Sequence, residues 1–331
     1  MGCGSIAQES HLPAIKRIPS TRLVAVADSD ESRAQLASEK FGAEHWYRDY
    51  MNLLEYKEVD AVDICTPTKY HADIAVAAAE AGKHVLCEKP MALSLEDADR
   101  MIRACLEHKV KLMVAHSRRF IPRYSIVREI IRGGRIGKPV WATQISRRTI
   151  VEPGSWYFDP NMTLGPIAEV GIHEADLLRW MLTDDVVEVR GIARSRETTT
   201  RVYDQIFAAL KFRKGIVGSF EVGYVLPKAF PQYTTLEVLG SEGLISASDN
   251  HMNVVTQGAE SGITYPLAYS DLLSVNSAYE REMIAFVDSV INGTQPPVTG
   301  ADARAALEVI LAVLQSIQNK KPIKLPLRKA N

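Results

Sequence analysis

A lysine at the end of a short apolar segment occupies the position in this sequence that most suggests chemistry. Residues 83–90 read Lys-His-Val-Leu-Cys-Glu-Lys-Pro, which predicts a strand over 84–87 followed by Glu88, Lys89 and Pro90. In open α/β sheets the carboxyl ends of the strands face the ligand crevice. Two interpretations are open: a solvated ion pair in a turn, or an ammonium group that binds developing negative charge.

Three titratable residues are spaced so that they share one face of a predicted helix. Residues 165–176 open a helical pattern in which Glu169, His173 and Asp176 are four and three residues apart. His173 is a candidate general acid or base, because its unperturbed pKa lies near neutral pH; a structural histidine is the alternative. No metal is predicted, because the second histidine of a zinc pair would fall at Leu177.

The beginning of the chain carries a glycine pattern typical of dinucleotide binding. Residues 2–7 read Gly-Cys-Gly-Ser-Ile-Ala and fit G-x-G-x-x-A, and Asp28 ends the apolar segment 23–27. Gly2 and Gly4 would let the backbone approach a pyrophosphate, and Asp28 would accept a hydrogen bond from a ribose hydroxyl. Asp28 also repels a 2′-phosphate, which favours NAD, while the nearby Arg33 leaves NADP open. The alternative is an ordinary turn residue.

The sequence resembles the glucose–fructose oxidoreductase / inositol dehydrogenase family (Gfo/Idh/MocA) over nearly the whole chain. The likeness rests on the segments above and on four others: 66–71 (Thr-Pro-Thr-Lys-Tyr-His), 81–85, 118–120 and 301–327. The resemblance implies an NAD(P)-dependent oxidoreductase that interconverts a secondary alcohol and a ketone on a sugar, cyclitol or related polyol. There are two departures. Glu169 stands where the family usually has aspartate, and the family's first strand is missing before Gly2.

The resemblance also assigns the site residues. The predicted catalytic group is Lys89, His173, Glu169 and Asp176. The predicted cofactor-binding group is Gly2, Gly4, Ser5, Ile6, Asp28, Thr66, Pro67, His71, Glu88 and Lys89. Trp156 and Tyr157 are predicted to contact substrate, with core packing as the equal alternative, and His71 is equally well explained as a polar residue at a helix start. The family further suggests a cis Lys89–Pro90 bond.

Two other function classes remain open at this point. Some members of the family are hydrolases that use NAD only transiently, oxidising a sugar so that its glycosidic bond can be eliminated. A non-catalytic NAD-binding protein is the other alternative, and both departures from the family pattern favour it. Net production of NADH from a free sugar or polyol separates the enzyme from these alternatives.

Composition excludes several partners. The 331 residues carry a net charge of −1, with 46% hydrophobic and 24% charged residues, so no electrostatic footprint for nucleic acid or a membrane surface is expected. Four scattered cysteines without C-x-x-C spacing suit a reducing cytoplasm. Cys65 and Cys87 are predicted to be buried. Small-molecule substrates are the expected partners, and the resemblance implies a homodimer or homotetramer.

The hydrophobic pattern divides the chain into two predicted domains. Repeated alternation of strands and helices over 1–120 predicts a doubly wound (Rossmann) parallel sheet that binds the dinucleotide. Longer period-two segments over 121–331, with hairpin signals at 213–215 and 240–243, predict an α+β domain with a large, mostly antiparallel sheet that binds substrate and forms oligomers.

The missing first strand carries its own expectation. In a doubly wound domain that strand lies at the centre of the sheet and continues into the glycine loop, yet only Met1 precedes Gly2. We therefore expect that the natural product starts further upstream and that this sequence begins at an internal methionine. A genuine truncation with a rearranged sheet is the alternative.

Overall fold

The computed structural model describes residues 1–149, 159–195, 203–249, 251–256, 263–266 and 275–327. The chain forms two compact units. The N-terminal unit comprises Met1–Phe120 and Val275–Arg304, and the C-terminal unit comprises Ile121–Ser274 and Ala305–Asn331.

Helices and strands alternate through the first unit and then give way to long strands. The helices are α1 (Leu12–Arg17), α2 (Glu31–Phe41), α3 (Tyr50–Leu54), α4 (His71–Glu80), α5 (Leu95–Glu107), α6 (Pro122–Arg132), α7 (Pro166–Leu182), α8 (Val275–Ile291) and α9 (Gly300–Asn319). The strands are β1 (Ala25–Ala27), β2 (His45–Tyr47), β3 (Ala61–Ile64), β4 (His84–Cys87), β5 (Leu112–Val114), β6 (Pro139–Thr149), β7 (Val186–Arg194), β8 (Gln205–Phe212), β9 (Val217–Leu226), β10 (Tyr233–Gly240), β11 (Gly243–Ser248), β12 (His251–Thr256), β13 (Ile263–Pro266) and β14 (Ile323–Lys324). A π-helical turn, Ala7–His11, leads directly into α1.

Local capping residues set the ends of the helices. The Asp30 side chain accepts a hydrogen bond from the backbone N–H of Arg33 at the start of α2, and Gly42 ends that helix with a left-handed φ of 72°. Ser94 caps α5 in the same way by accepting from the N–H of Asp97. Aspartate and serine are favoured at helix N-caps and glycine just past the C-terminus, so the local sequence specifies these helix ends.

The parallel sheet of the N-terminal unit is interrupted at its centre. β1 pairs with β2, and β3-β4-β5 form a separate sheet, all in parallel. Met1 and Gly2 lie between the two sheets and bond to both of them. The Met1 ammonium donates to the Asp63 carbonyl (2.7 Å), Met1 accepts from the Cys65 N–H (2.7 Å), and the Gly2 N–H donates to the Ala27 carbonyl (2.8 Å). The five parallel strands of this unit therefore form two sheets rather than one.

A cavity of about 350 Å³ lies against the facing edges of β1 and β3. Its lining is largely apolar and includes Leu12, Val26, Val62 and Phe286. Met1 and Gly2 border it at one end. The cavity therefore has the position and the lining that a central apolar strand leading into Gly2 would require.

The core of the N-terminal unit is completed by residues from late in the chain. Leu86 of β4 and Met113 of β5 belong to the same buried cluster as Met283 and Phe286 of α8 and Val298. Met113 also bridges Thr299 in an antiparallel contact. Helix α8 is thus part of the N-terminal unit's core, although it follows strands β6 to β13 of the C-terminal unit in sequence.

The C-terminal unit is built on a nine-stranded sheet in the order β13-β12-β11-β10-β6-β9-β8-β7-β14. The central pair β6–β9 is parallel and the other pairs are antiparallel. The predicted hairpins over 213–215 and 240–243 connect β8 to β9 and β10 to β11. Helix α7 packs on β6 and β9. The mostly antiparallel sheet predicted from the sequence is confirmed.

All four cysteines are free and buried, as predicted for Cys65 and Cys87. In the described part of the chain, no helix has both the length and the apolar character needed to cross a bilayer.

Candidate active site

The glycine loop combines one tight position with one open position. Gly2 has a φ of +81°, and a Cβ there would lie 2.8 Å from the backbone of Cys65 and Thr66, so only glycine fits. A Cβ on Gly4 would meet no atom within 4 Å. Ser5, which is exposed, and the half-buried Ile6 begin the helical run beyond it. The loop thus leaves open space beside Gly4, where the pattern predicts a phosphate group.

Asp28 follows β1 directly and is 8% exposed. Its Oδ2 accepts from the Cys3 N–H (2.8 Å) and its Oδ1 from the Asp30 N–H (2.9 Å). The Arg33 guanidinium lies 3.4 Å from both oxygens and also contacts Asp30. Each carboxylate oxygen has a second lone pair, so Asp28 keeps the capacity to accept from a ribose hydroxyl. Arg33 is engaged with two carboxylates rather than held apart for a phosphate.

Thr66 and Pro67 follow β3 at the same edge of the sheet as the glycine loop. The Thr66 Oγ1 is buried and has no hydrogen-bond partner among the described residues. The Thr66 carbonyl lies 2.8 Å from His71 Nε2, and His71 Nδ1 lies 2.9 Å from the Pro90 carbonyl. His71 is 1% exposed. Both ring nitrogens of His71 lie within hydrogen-bonding distance of backbone carbonyls, so the ring joins the segment after β3 to the segment after β4. This arrangement favours a structural role for His71.

Lys89 lies at the end of β4, where the sequence predicts it. Lys89 is half-buried, whereas Glu88 is buried. The Glu88 Oε2 accepts from the Lys89 N–H at 2.9 Å, and the Lys89–Pro90 bond is cis. Burial alone would raise the pKa of Glu88, but hydrogen bonding to His11 and the charge of Lys89 lower it below its ordinary value. Glu88 is therefore an anion beside the ammonium-bearing residue.

His11 belongs to this site, and the sequence analysis missed it. Its Nδ1 lies 2.9 Å from Asp63 Oδ2 and its Nε2 lies 3.0 Å from Glu88 Oε1. Two signals were available: a histidine in the first turns after the glycine loop, and Asp63 interrupting the apolar run of β3. Neither signal identifies the other as its partner, because 52 residues separate them.

The predicted acid–base group of the C-terminal unit lies on α7. Glu169, His173 and Asp176 are all buried, at 3%, 8% and 1% exposure, and their shared helix confirms the spacing argument. The Thr163 hydroxyl donates to Glu169 Oε1 (2.8 Å) and accepts from the Gly165 N–H (3.2 Å). The longer side chain at position 169 therefore has a specific partner, and Thr163 is a second residue that the sequence analysis missed.

Further polar groups are buried near this stretch of α7. The Ser146 hydroxyl on β6 donates to Glu174 Oε1 at 2.5 Å, and Glu174 is fully buried. This contact fixes α7 on the sheet and leaves the neighbouring His173 on an anchored turn. Trp156 and Tyr157, predicted to contact substrate, lie outside the described residues.

The residues of the N-terminal unit fit a dinucleotide. The open space at Gly4, the unpartnered Thr66 hydroxyl and the spare acceptor capacity of Asp28 all lie at the carboxyl edge of the parallel strands. Gly2, Gly4 and Asp28 would hold the pyrophosphate and a ribose, and Thr66 would donate or accept a further hydrogen bond. The predicted cofactor residues are thus all in one unit, and Glu169, His173 and Asp176 are all in the other.

Comparison with known protein families gives matches over both units. The model of the Gfo/Idh/MocA oxidoreductase family's NAD-binding Rossmann fold matches residues 1–116. The model of the same family's C-terminal alpha/beta domain matches residues 128–325.

Individual relatives match over almost their full length. The scyllo-inositol 2-dehydrogenase (NAD(+)) of Bacillus subtilis (strain 168) is 29% identical, over 100% of this chain and 96% of that protein. The 1,5-anhydro-D-fructose reductase of Ensifer adhaerens is 31% identical, over 96% and 94%. Among solved structures, a probable dehydrogenase from Thermotoga maritima has a TM-score of 0.85 at 29% identity and covers 98% of this chain and 97% of its own.

Proposed function

Because the chain belongs to the Gfo/Idh/MocA oxidoreductase family, we propose that it interconverts a secondary alcohol and a ketone on a cyclitol or a sugar, using NAD. The family's N-terminal domain is an NAD-binding Rossmann fold. Full-length relatives named for the oxidation of an inositol and the reduction of an anhydrosugar support this substrate class. The individual substrate within that class is left to experiment.

The observation that carries the proposal is the position of Lys89. Its ammonium-bearing side chain follows β4 at the same sheet edge as the glycine loop, and the Glu88 carboxylate holds its backbone. When bound, NAD accepts or returns the hydride at its nicotinamide ring. We assign Lys89 the role of stabilising the negative charge that develops on the substrate oxygen during this transfer.

His173 is our candidate for exchanging the hydroxyl proton. Removal of a hydride from an alcohol carbon gives a ketone only if the hydroxyl proton also leaves, so one base is required. His173 stands on α7 one turn from Glu169 and is three residues from Asp176, and Glu174 between them is bonded to the sheet. Lys89 remains the alternative formal base, and the roles of Glu169 and Asp176 as ring-orienting groups rest on the same proposal.

NAD is preferred to NADP in this proposal. The Asp28 carboxylate would accept from ribose hydroxyls and repel a 2′-phosphate, and Arg33 is already paired with Asp28 and Asp30. A cytoplasmic homodimer or homotetramer remains the expectation for the assembled enzyme.

A cofactor and substrate panel tests the proposal. The purified chain is denatured and the released nucleotide identified by mass spectrometry, and fresh protein is then assayed with NAD on myo-inositol, scyllo-inositol and related free sugars. We expect stoichiometric NADH formation with at least one free cyclitol or sugar. Cleavage of a glycoside without net NADH would identify the transient-oxidation hydrolase, and absence of turnover with retained NAD would identify a non-catalytic binder.

A further inference from the structure

His11 is buried between two carboxylates of neighbouring strands. It is 1% exposed and ends the π-helical turn that follows the glycine loop. Asp63 of β3 accepts on one side of the ring and Glu88, at the end of β4, on the other, at 2.9 and 3.0 Å. A neutral imidazole has one N–H, whereas a protonated imidazole has two. The two acceptors therefore match the protonated ring.

The surrounding charges favour that protonated form. Burial alone would lower the pKa of His11, but the charge of Asp63 and the hydrogen bond to it raise that pKa well above its ordinary value of 6.5. Burial, followed by the Asp63 charge, raises the pKa of the Cys65 thiol to about 11. The pKa of Tyr279, whose ring centroid lies 5.1 Å from that of His11, is raised to about 12 by burial and then by Glu88. Both groups are thus neutral at pH 7, and His11 is the cation between two anions.

The same geometry argues against a metal ion at this position. The ligand atoms of His11, Asp63 and Cys65 lie within 4.8 Å of one another. However, the 2.9 Å contact between His11 and Asp63 has the length of a hydrogen bond. A protonated imidazole has no lone pair for a metal, and a thiol must lose its proton to bind one.

Glu88 connects this cluster to the proposed active site. Its Oε1 faces His11 Nε2 and its Oε2 accepts from the Lys89 N–H. One rigid carboxylate is therefore held at both oxygens, and rotation of that carboxylate would release the Lys89 backbone. The chain His11–Glu88–Lys89 links the helical turn after the glycine loop to the backbone N–H of Lys89 by two hydrogen bonds.

We propose that His11 is a positioning residue, which acts through Glu88 to hold Lys89 in the orientation needed for turnover. This inference rests on the proposed function of Lys89 and adds a residue to it. A positioning role predicts that loss of His11 affects the reaction only while Lys89 is present. A residue that merely stabilises the fold would affect both backgrounds alike.

A double-mutant cycle distinguishes the two roles. His11→Gln and Lys89→Ala are prepared singly and together, and turnover and the KM for NAD are measured at high enzyme concentration. We expect His11→Gln to lower kcat about 10-fold or more in the wild-type background, with a change in the KM for NAD of less than about twofold. In the Lys89→Ala background we expect the further loss in kcat to be less than about twofold.

Controls keep the outcomes separate. His45→Gln is the control. The side chain of this half-buried histidine of β2 makes its hydrogen bond, among the described residues, to the Tyr56 hydroxyl, and its replacement should leave kcat unchanged. If His11→Gln does not fold, Glu88→Gln serves instead, because its amide can match only one of the two donors. Equal losses in both backgrounds, or unchanged kcat in the wild-type background, would overturn the positioning role. Near-normal kcat in Lys89→Ala alone would instead refute the function proposed for Lys89.

Discussion

Filling the gap between β1 and β3 is the perturbation with the largest expected effect on this protein. The sequence Val-Gly-Ile-Ile is placed directly before Gly2, so that its last isoleucine replaces Met1. Met1 already makes parallel-strand contacts with Asp63 and Cys65. The added residues would extend this pairing along the four residues of β3, Ala61–Ile64.

The expected gain in the free energy of unfolding follows from the backbone groups at the facing edges of β1 and β3. The backbone N–H and C=O groups of alternate residues in a strand face the same side. Those of Ala25 and Ala27 in β1, and of Ala61 and Asp63 in β3, face the gap. Their gap-facing groups bond, among the described residues, only to Met1, Gly2 and the Cys3 thiol, which contacts the Ala27 carbonyl. A central strand would add about five hydrogen bonds, worth roughly 1 kcal/mol each. Burial of the new apolar side chains and the cost of ordering the new residues, each about 3–6 kcal/mol, nearly cancel.

The extended chain should therefore be more stable by about 5 kcal/mol, which raises Tm by roughly 10–20 °C for a domain of this size. NAD should also bind more tightly, because the strand fixes the glycine loop. Differential scanning calorimetry and NAD titration of both forms measure these effects. The control carries Ser-Gly-Asp-Ile at the same place, with equal length and little apolar surface. An unchanged Tm and NAD affinity in the apolar extension, or an equal gain in the control, would refute the argument.

Five substitutions, one of them compared with wild type across pH, test the remaining assignments. Asp28→Ser should weaken NAD binding and relax the rejection of NADP, and tenfold tighter wild-type binding of NADP, about 1.4 kcal/mol, would contradict its role. Lys89→Ala and His173→Ala should each lower kcat by roughly 100-fold, and the buried His173 variant should also lose thermal stability. Glu169→Asp should lower activity rather than raise it, because the shorter side chain loses its threonine partner. The pKa of His11 is raised in the folded state, so protonated His11 stabilises the fold. This stabilisation is complete below about pH 6.5 and is lost as pH rises through the folded-state pKa. The Tm of wild type should therefore exceed that of His11→Gln by less at alkaline pH.

Local signals in the sequence predicted much of the fold. Asp30, Gly42 and Ser94 mark helix ends, because capping depends on residues only a few positions apart. The glycine loop, the end of β4 and the shared face of α7 were placed in the same way. Each of these inferences requires only short-range geometry.

The contacts that sequence could not predict connect distant residues. His11 meets Glu88 across 77 residues, and no periodic pattern specifies which carboxylate a buried histidine will find. Thr163 lies only six residues from Glu169, yet an irregular stretch separates it from the helix, so helical spacing does not predict the contact. The spacing that places His173 on a helix face also does not predict its burial, which follows from the packing of Ile172, Glu174 and the rest of α7.

The dependence of the N-terminal unit on α8 has a consequence for synthesis of the chain. Leu86 and Met113 emerge from the ribosome early, whereas Met283, Phe286 and Val298 of the same core cluster emerge only after eight of the nine strands of the C-terminal sheet. During translation, which proceeds from the N-terminus at roughly 5–20 residues per second, the first unit has an exposed apolar surface for the time needed to make the intervening strands. The nucleotide-binding half therefore completes this part of its core only when α8 and Val298 have been made.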